Sequence, residues 1–528
     1  MMAKISKLQK TIAGGAMIIA LFSILSRLLG LFRDRLLSST FGAGQTLDAY
    51  YAAFRLPDLI FNTLILGALS SAFIPIFLKY WNRNKEEAWR ITNSVFNILF
   101  LIVLVLGLIA FVFAPSVVKY LVPGFDLGTQ SLTISFTRIM LIGILFFTCS
   151  NIASSVLNSF RRFLAYSLAP LMYNLGIIFG IVFLVPKTSL GLNGLAWGVV
   201  LGAAGHFLIQ VPALLKTGYR WQPIIKSHKA IKRIITLMLP RCFGLAVSQL
   251  NFVVTTLIAS TITIGAVAIY SLSFNLFNVP VGIFGISLAI SIFPVLSKSF
   301  ADGDKKVFVS QLSKTICRIL YLIIPITAIY LALRTQIVRL ILGAGVFSWR
   351  DTVLTANALG FFSISLLAQS LIPLFSKAFY ATHNTLTPVK IAVVSFIVNI
   401  IGCLVLGSLM GISGLALAFS LASFVNLILL YYFFHKKALP LPNKDMGGSF
   451  LRAMGLSLIM LMVIQLSKGL VGSLVNMQTF IGVSIQTITA VMAGLLFYFV
   501  VSLLLHFPEV EILKQFFKRK RKIKQQIN

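Results

Sequence analysis

Acidic residues are scarce: 12 Asp and Glu stand against 45 Lys and Arg in 528 residues, for a formal net charge of +33. An enzyme that works by paired acid–base groups is hard to assemble from so few carboxylates, most of them in connecting segments. Cysteine is scarcer still. Cys149, Cys242, Cys317 and Cys403 lie in or beside apolar runs, with no CxxC pair and no His/Cys cluster. That pattern argues against a disulfide framework or a metal site, and the four read as small buried hydrophobes. No Walker loop, no HExxH and no nucleophile–base signature is present, so no catalytic residue, metal or cofactor is expected. Charged residues make up only 11% of the chain, against about a quarter in a soluble domain.

What the sequence has instead is hydrocarbon. It is 58% hydrophobic, with a mean hydropathy of +0.96. Apolar runs of roughly twenty residues recur from end to end, each long enough for a hydrocarbon core about 30 Å thick. A transmembrane barrel would show short alternating segments, so the fold class is an all-α polytopic membrane protein. Fourteen spans are expected, at 11–39, 48–78, 92–118, 132–158, 162–185, 190–214, 239–261, 266–297, 309–333, 352–380, 387–408, 412–435, 449–473 and 479–506. Lysine and arginine gather in every second connection, for example Lys79, Arg83, Lys85 and Arg90 after span 2, or Lys298, Lys305 and Lys306 after span 8. Lys187 and Arg350 are the main exceptions. This placement follows the positive-inside rule and puts both termini in the cytoplasm. It also argues against nucleic acid as the partner of the positive charge. Lys4, Lys7 and Lys10 precede the first apolar run, which has no small-residue cleavage site and reads as an uncleaved span. The basic tail "KQFFKRKRKIKQQIN" reads as an anchor on anionic membrane lipid.

An internal repeat runs through the chain. "IPIFLKYWNRNKEEA" after span 2 is echoed by "FPVLSKSFADGDKKV" after span 8, and Pro75/Pro294, Lys79/Lys298 and Gly124/Gly343 are all 219 residues apart. "GLNGLA" at 191–196 is echoed by "GISGLA" at 411–416. The expectation is two pseudo-symmetric six-helix bundles entering the membrane in the same direction, related by an axis along the membrane normal, with a substrate site between them. The organisation is then an N-terminal lobe at 1–218, an amphipathic linker at 219–238, a C-terminal lobe at 239–437, two extra helices at 438–506, and a basic cytoplasmic tail at 507–528.

Charges inside the first two spans require a reason. "LSRLLGLFRDR" at 25–35 carries Arg27, Arg33, Asp34 and Arg35. Three arginines facing lipid would cost on the order of 8–10 kcal/mol even on lenient insertion scales, so they face water, partners or an interface. Arg27 and Asp34 are seven residues apart and share a helix face, as do Asp48 and Arg55 in span 2. The two pairs offer arginines and aspartates to a common interior, and Pro57 marks a break or kink close to Arg55. Guanidinium forks suit phosphate, so the cavity suits an anion of spread charge such as a pyrophosphate. The alternative is an ion-pair network that only locks spans 1 and 2 together. The asymmetry of the repeat favours a binding site, because the second copy has the neutral Asn275 and Asn278 in its equivalent region. Elsewhere, Asp302-Gly303-Asp304 matches the D-x-D that holds a metal and a nucleotide sugar. Its place in a predicted loop favours a solvated turn. His206, alone in span 6, favours packing over proton relay.

"SRLLGLFRD" at 26–34, "FGAGQTLDAYYAAFRLPD" at 41–58, "GALSSAFIPIF" at 67–77 and "FPVLSKSFADGD" at 293–304 resemble the signature of the MurJ/MviN lipid II flippases. These belong to the multidrug/oligosaccharidyl-lipid/polysaccharide exporter superfamily. The resemblance covers nearly the whole chain. It implies a multi-pass protein of the bacterial cytoplasmic membrane, a transporter and not an enzyme. Such a protein moves the undecaprenyl-pyrophosphate-linked peptidoglycan precursor from inner to outer leaflet by alternating access. By resemblance, Arg27 and Arg33 contact the substrate head group; Arg55, which holds a motif position, and the neutral Asn275 and Asn278 are further candidate substrate contacts. Asp34, Asp48 and Asp58 belong to gating or ion-pair networks, spans 13 and 14 hold the prenyl tail, and cell-wall synthesis proteins are candidate partners. Members of the family carry an additional arginine and glutamate about where this chain has Phe61 and Leu66, and again about where it has Asn275 and Asn278. The thinner cationic cavity leaves open another polyprenyl-linked oligosaccharide as cargo, or an ion-coupled exporter activity. No Asp or Glu falls within spans 7, 11 or 12, so a carboxylate sodium site there is not expected.

Overall fold

The fold comes from a computed structural model that describes residues 12–66, 73–225 and 228–510. Lys4, Lys7 and Lys10, the first part of the 67–77 motif, two residues of the 219–238 linker and the basic tail from residue 511 lie outside the described residues. Every regular element among the described residues is helical, with no strand. Eleven helices there are long and apolar enough to cross a membrane, or up to twelve if Trp349–Ile364 and Leu366–Ala381, bent by 45°, count as one span. Helix Lys85–Leu121 shows what such a surface looks like. Leu101, Val105, Leu108 and Val112 recur at a helical period and are 46–65% exposed, a face suited to lipid rather than to water.

The local chemistry accounts for where helices begin and break. Asn84 accepts the Glu86 and Glu87 amides at 2.9 and 3.2 Å and starts Lys85–Leu121. Asp304 accepts the Val307 amide at 2.9 Å and starts Lys305–Ile341. The two N-caps are 220 residues apart, close to the period of the repeat. Gln45–Ala53 and Arg55–Phe61 are separate helices with Phe54 as a turn between them. Pro57 is the cause: it has no N–H to give the Ala53 carbonyl, and its ring crowds that same carbonyl. The expected break near Arg55 therefore falls one residue before it.

A second irregularity follows the repeat. The π-helix Asn62–Leu66 and the π-helix Val281–Ile286 begin 219 residues apart. The two copies thus share a backbone defect as well as a sequence echo, and π segments often accompany functional sites.

The chain divides into two compact units. The first is Met1–Leu272 with Ile341–Asp351 and Cys403–Leu415; the second is Ser273–Leu340, Thr352–Gly402 and Ala416–Asn528. In the first unit, helices Phe163–Phe179 and Asn193–Leu208 meet backbone to backbone. A Cβ on Gly176 would lie 2.3 Å from the Gly202 Cα, and one on Gly180 would lie 2.8 Å from the Gly198 Cα. These are small-xxx-small stripes, which drive helix association where lipid removes the hydrophobic contribution. Phe77, buried at 1% exposure, stacks on Trp81 and meets Trp89 and Phe160. The same unit contains Lys229–Ser260, a helix that takes in the linker from Lys229 on and continues past Pro240 into the apolar run. In the second unit, Asn443–Leu474 and Phe480–Leu504 pack as a pair on Lys305–Ile341. Tyr321 and Ser502 share a hydrogen bond of 2.8 Å, and the Tyr498 hydroxyl donates to the Tyr321 carbonyl at 3.0 Å.

Candidate functional site

Helix Ile12–Phe41 carries the four charged residues of the 25–35 stretch. Arg33 is fixed from two sides. Its Nε and Nη2 donate to Asp34 Oδ1 at 3.0 and 2.7 Å. Its Nη1 donates to Asn174 Oδ1 at 3.0 Å. Asn174, from helix Phe163–Phe179, turns its amide nitrogen back to the Ser26 and Pro170 carbonyls at 3.3 and 3.1 Å. One asparagine therefore joins two helices and aims the guanidinium. The Arg33 side chain is 19% exposed and that of Asp34 4%. These contacts use three of the five N–H donors of a guanidinium. Arg27 stands six residues earlier, about 9 Å along the axis, and is partly buried.

Arg35 is placed differently. Its Nη1 reaches the Ile341 carbonyl at 3.5 Å. Ser38 donates to the Leu342 carbonyl at 2.9 Å, and the Val346 amide donates to the Ser39 carbonyl at 3.0 Å. Arg35 thus helps fasten the end of the first helix to the 341–346 loop.

Arg55 and Asp48 both address the hairpin formed by Lys229–Ser260 and the start of Ala266–Pro280. Arg55 Nε donates to Thr256 Oγ1 at 2.7 Å and Nη2 to Ser271 Oγ at 3.3 Å. The guanidinium carbon lies 5.5 Å from the Phe252 ring centroid. Asp48, 1% exposed, accepts the Gly265 amide at 2.5 Å and the Ala268 amide at 2.8 Å. It caps a helix 217 residues further on in the sequence, and a carboxylate suits that positive end. Gly265 is required there: its φ is +85°, and a Cβ would lie 2.0 Å from the Ala43 carbonyl oxygen. Asp58 sits one turn after Arg55 on the same helix, partly buried.

The seven-residue spacing grouped Arg27 with Asp34 and Asp48 with Arg55. In the structure Asp34 holds Arg33, Asp48 holds backbone amides, and Arg55 is held by neutral hydroxyls and an aromatic ring. Asn275 and Asn278 belong to the second unit, where the Asn278 amide donates to the Phe274 carbonyl of its own helix at 2.9 Å. Asn174, Thr256 and Ser271 were not singled out from the sequence; their only signal is a small polar side chain within an apolar run.

Two secondary features resolve on geometry. Gly303 has φ +75° in an open turn, and Asp304 is occupied as the cap of Lys305–Ile341, so D-G-D serves as a helix start. His206 Nδ1 lies 2.6 Å from Ser150 Oγ, which also takes the Gln210 amide at 2.5 Å. Ser154 completes the chain by donating to Gln210 Oε1 at 2.8 Å. This neutral network ties Leu127–Ser159 to Asn193–Leu208, and no carboxylate takes part in it.

Chemically, the first unit holds two fixed guanidinium groups, each with N–H donors beyond those used in folding. Guanidinium forks of this kind have the donor geometry that suits phosphate and carboxylate groups. The helical architecture shares its fold with solved proteins of the MOP superfamily. An inward-facing multidrug resistance MATE family transporter of that superfamily superposes with a TM-score of 0.67, at 14% identity, over 80% of this chain and 95% of the other. Within that class, the family described as "Lipid II flippase MurJ" matches residues 37–484, and the chain belongs to it. The "Lipid II flippase MurJ" of Burkholderia cenocepacia is 30% identical over 450 residues, 83% of this chain and 87% of that protein. The "Probable lipid II flippase MurJ" of Thermotoga maritima is 30% identical over 425 residues, covering 80% and 85%. A solved structure of "Lipid II flippase MurJ, inward closed conformation" superposes with a TM-score of 0.77 at 28% identity, over 93% of this chain and 99% of that one.

Proposed function

We propose that this chain moves lipid II from the inner to the outer leaflet of the bacterial cytoplasmic membrane, with Arg27, Arg33 and Arg55 as contacts for the pyrophosphate-linked head. The observation that carries the assignment of the site is Arg33: a guanidinium held by Asp34 and Asn174 inside a membrane helix, with N–H donors still available. The reading includes fourteen spans. These are the eleven apolar helices and the bent pair, together with Ile12–Phe41 and the interrupted run from Gln45 to Trp81. It places both termini in the cytoplasm, treats Asn443–Leu474 and Phe480–Leu504 as the seat of the prenyl tail, and has the chain open alternately to the two sides of the membrane. Asp34 then serves as a resident counter-ion that an incoming phosphate displaces or joins.

The test is depletion of the protein in cells with no redundant flippase, with precursor assayed in each leaflet, followed by rescue. Precursor should accumulate in the inner leaflet, and Arg27→Ala and Arg33→Ala should fail to rescue while remaining in the membrane. Normal rescue by both variants leaves these side chains with a packing role only.

One observation favours a second cargo. Phe61 packs on Phe147 with ring centroids 5.4 Å apart, where the resemblance calls for a charge. A flippase for another polyprenyl-pyrophosphate-linked oligosaccharide fits that apolar wall. Native mass spectrometry of the co-purified lipid separates the two cargoes.

A further inference from the structure

The second unit contains a cavity that the transport reading does not use. Its volume is about 1240 Å³, and it lies where helix Lys305–Ile341 begins, beside the 439–445 connection and the segment after Leu504. These are all helix ends, so the cavity sits at the boundary between membrane and water. Its walls carry four cations, Lys305, Lys306, Lys314 and Arg452, against two carboxylates, Asp445 and Glu509. The three lysines are exposed. Glu509 is only 7% exposed. Its Oε1 accepts the Ser449 hydroxyl at 2.6 Å and lies 3.9 Å from Arg452, while its Oε2 has no hydrogen-bond partner. Val309, Leu439, Pro440, Pro442 and Pro508 add apolar wall, beside the small polar Ser310 and Ser313.

Four cations, a carboxylate oxygen without a donor and a partly apolar wall define an amphiphilic ligand. We propose that this cavity binds a phosphate-bearing polar head that also carries hydroxyl groups, the phosphate against Lys305, Lys306, Lys314 and Arg452 and a hydroxyl donating to Glu509. Basic pockets between helices at the membrane surface recognise anionic head groups in this way. A phosphodiester without hydroxyl groups satisfies the cations and leaves Glu509 without a donor, and a zwitterionic choline head is of that kind. A glycerol phosphate satisfies both, whether it comes from an anionic glycerophospholipid or from solution.

Cys317 lines the same cavity and is partly buried, which provides a local reporter. The full chain is purified in detergent, and alkylation of Cys317 by a maleimide is followed by peptide mass spectrometry. Three probes are titrated: short-chain phosphatidylglycerol, short-chain phosphatidylcholine and free glycerol phosphate. Phosphatidylglycerol should slow the alkylation saturably and phosphatidylcholine should not. Protection by glycerol phosphate at similar concentration identifies a soluble ligand; protection by the lipid alone identifies a membrane one. Lys305→Gln, Lys306→Gln and Lys314→Gln combined should move the protection midpoint at least about tenfold, since each surface cation contributes about a factor of five toward an anionic head. Glu509→Gln should weaken protection by the glycerol head. Arg33→Ala should leave protection unchanged, so the outcome is independent of the transport assay. Equal protection of the wild type and the triple variant, or no protection by either phosphate probe, overturns the proposal.

Discussion

The Arg33–Asp34 pair can be made to report separately on folding and on function. Asp34→Asn removes the negative charge but keeps the shape. In the native protein Asp34 Oδ1 accepts two N–H groups of Arg33 at 3.0 and 2.7 Å, with Asp34 4% exposed and Arg33 19%. Removing one partner of a buried ion pair costs about 3–5 kcal/mol, because the remaining charge is left uncompensated. Arg33 retains Asn174 as an acceptor and some exposure to water, so the lower end, about 3 kcal/mol, is expected. That is about two powers of ten in the ratio of folded to unfolded protein. Arg33→Gln combined with Asp34→Asn removes both charges and should recover most of the loss, since replacing both members of such a pair is often neutral. Stability is measured by unfolding the purified protein in mixed micelles of rising dodecyl sulfate content, and activity by rescue of depleted cells. The single variant should be destabilised, and the double variant should be stable and inactive. A double variant that is stable and rescues growth as well as the wild type refutes the assignment of Arg33 to the substrate. A single variant of unchanged stability refutes the pair itself.

Four other outcomes follow from the same geometry. Asp48→Ala strips the Gly265 and Ala268 amides of their acceptor; each buried orphan donor costs about 1–3 kcal/mol, so the same micelle titration should show a destabilisation of about 2–6 kcal/mol. Gly265→Ala combines φ +85° with a Cβ 2.0 Å from the Ala43 carbonyl oxygen, so the variant should fail to accumulate in membranes, read by immunoblot. Asp304→Ala loses a helix cap worth about 1 kcal/mol and should still rescue; lost transport at unchanged stability would assign the D-G-D turn a role beyond capping. Asp126 accepts the Thr129 hydroxyl at 2.6 Å and the Thr129 and Gly128 amides at 3.2 and 3.0 Å. Its carboxyl is held below the usual carboxylate range mainly by Thr129. That contribution is present above about pH 4 and lost as pH falls through the depressed value, so amide exchange at Gly128 and Thr129 should accelerate only in strong acid.

Much of the fold was legible because a hydrocarbon solvent constrains sequence strongly. Every backbone group in a span must be satisfied within its own helix, so apolar length alone identifies spans such as Lys85–Leu121. The repeat was legible as well. The 219-residue period seen in Pro75 and Pro294 returns as two π-helices with that same offset. Pro57 announced a break that falls one residue before Arg55. The continuous helix across 229–260 was less so, because a change from basic to apolar composition is not a change of backbone preference.

For the site, the sequence by itself determined which residues were out of place: arginines and aspartates in helices that otherwise suit lipid, at costs too large to leave unexplained. Only the tertiary structure decided what each one meets. Helical periodicity tells which residues share a face, but it says nothing of what lies opposite. Asp48 shows why most clearly. Its partners are the amides of Gly265 and Ala268, and a backbone N–H carries no side-chain signature that a reader of sequence can find. Asn174 aims Arg33 from 141 positions away, a pairing set by the approach of two helices and by no spacing along the chain.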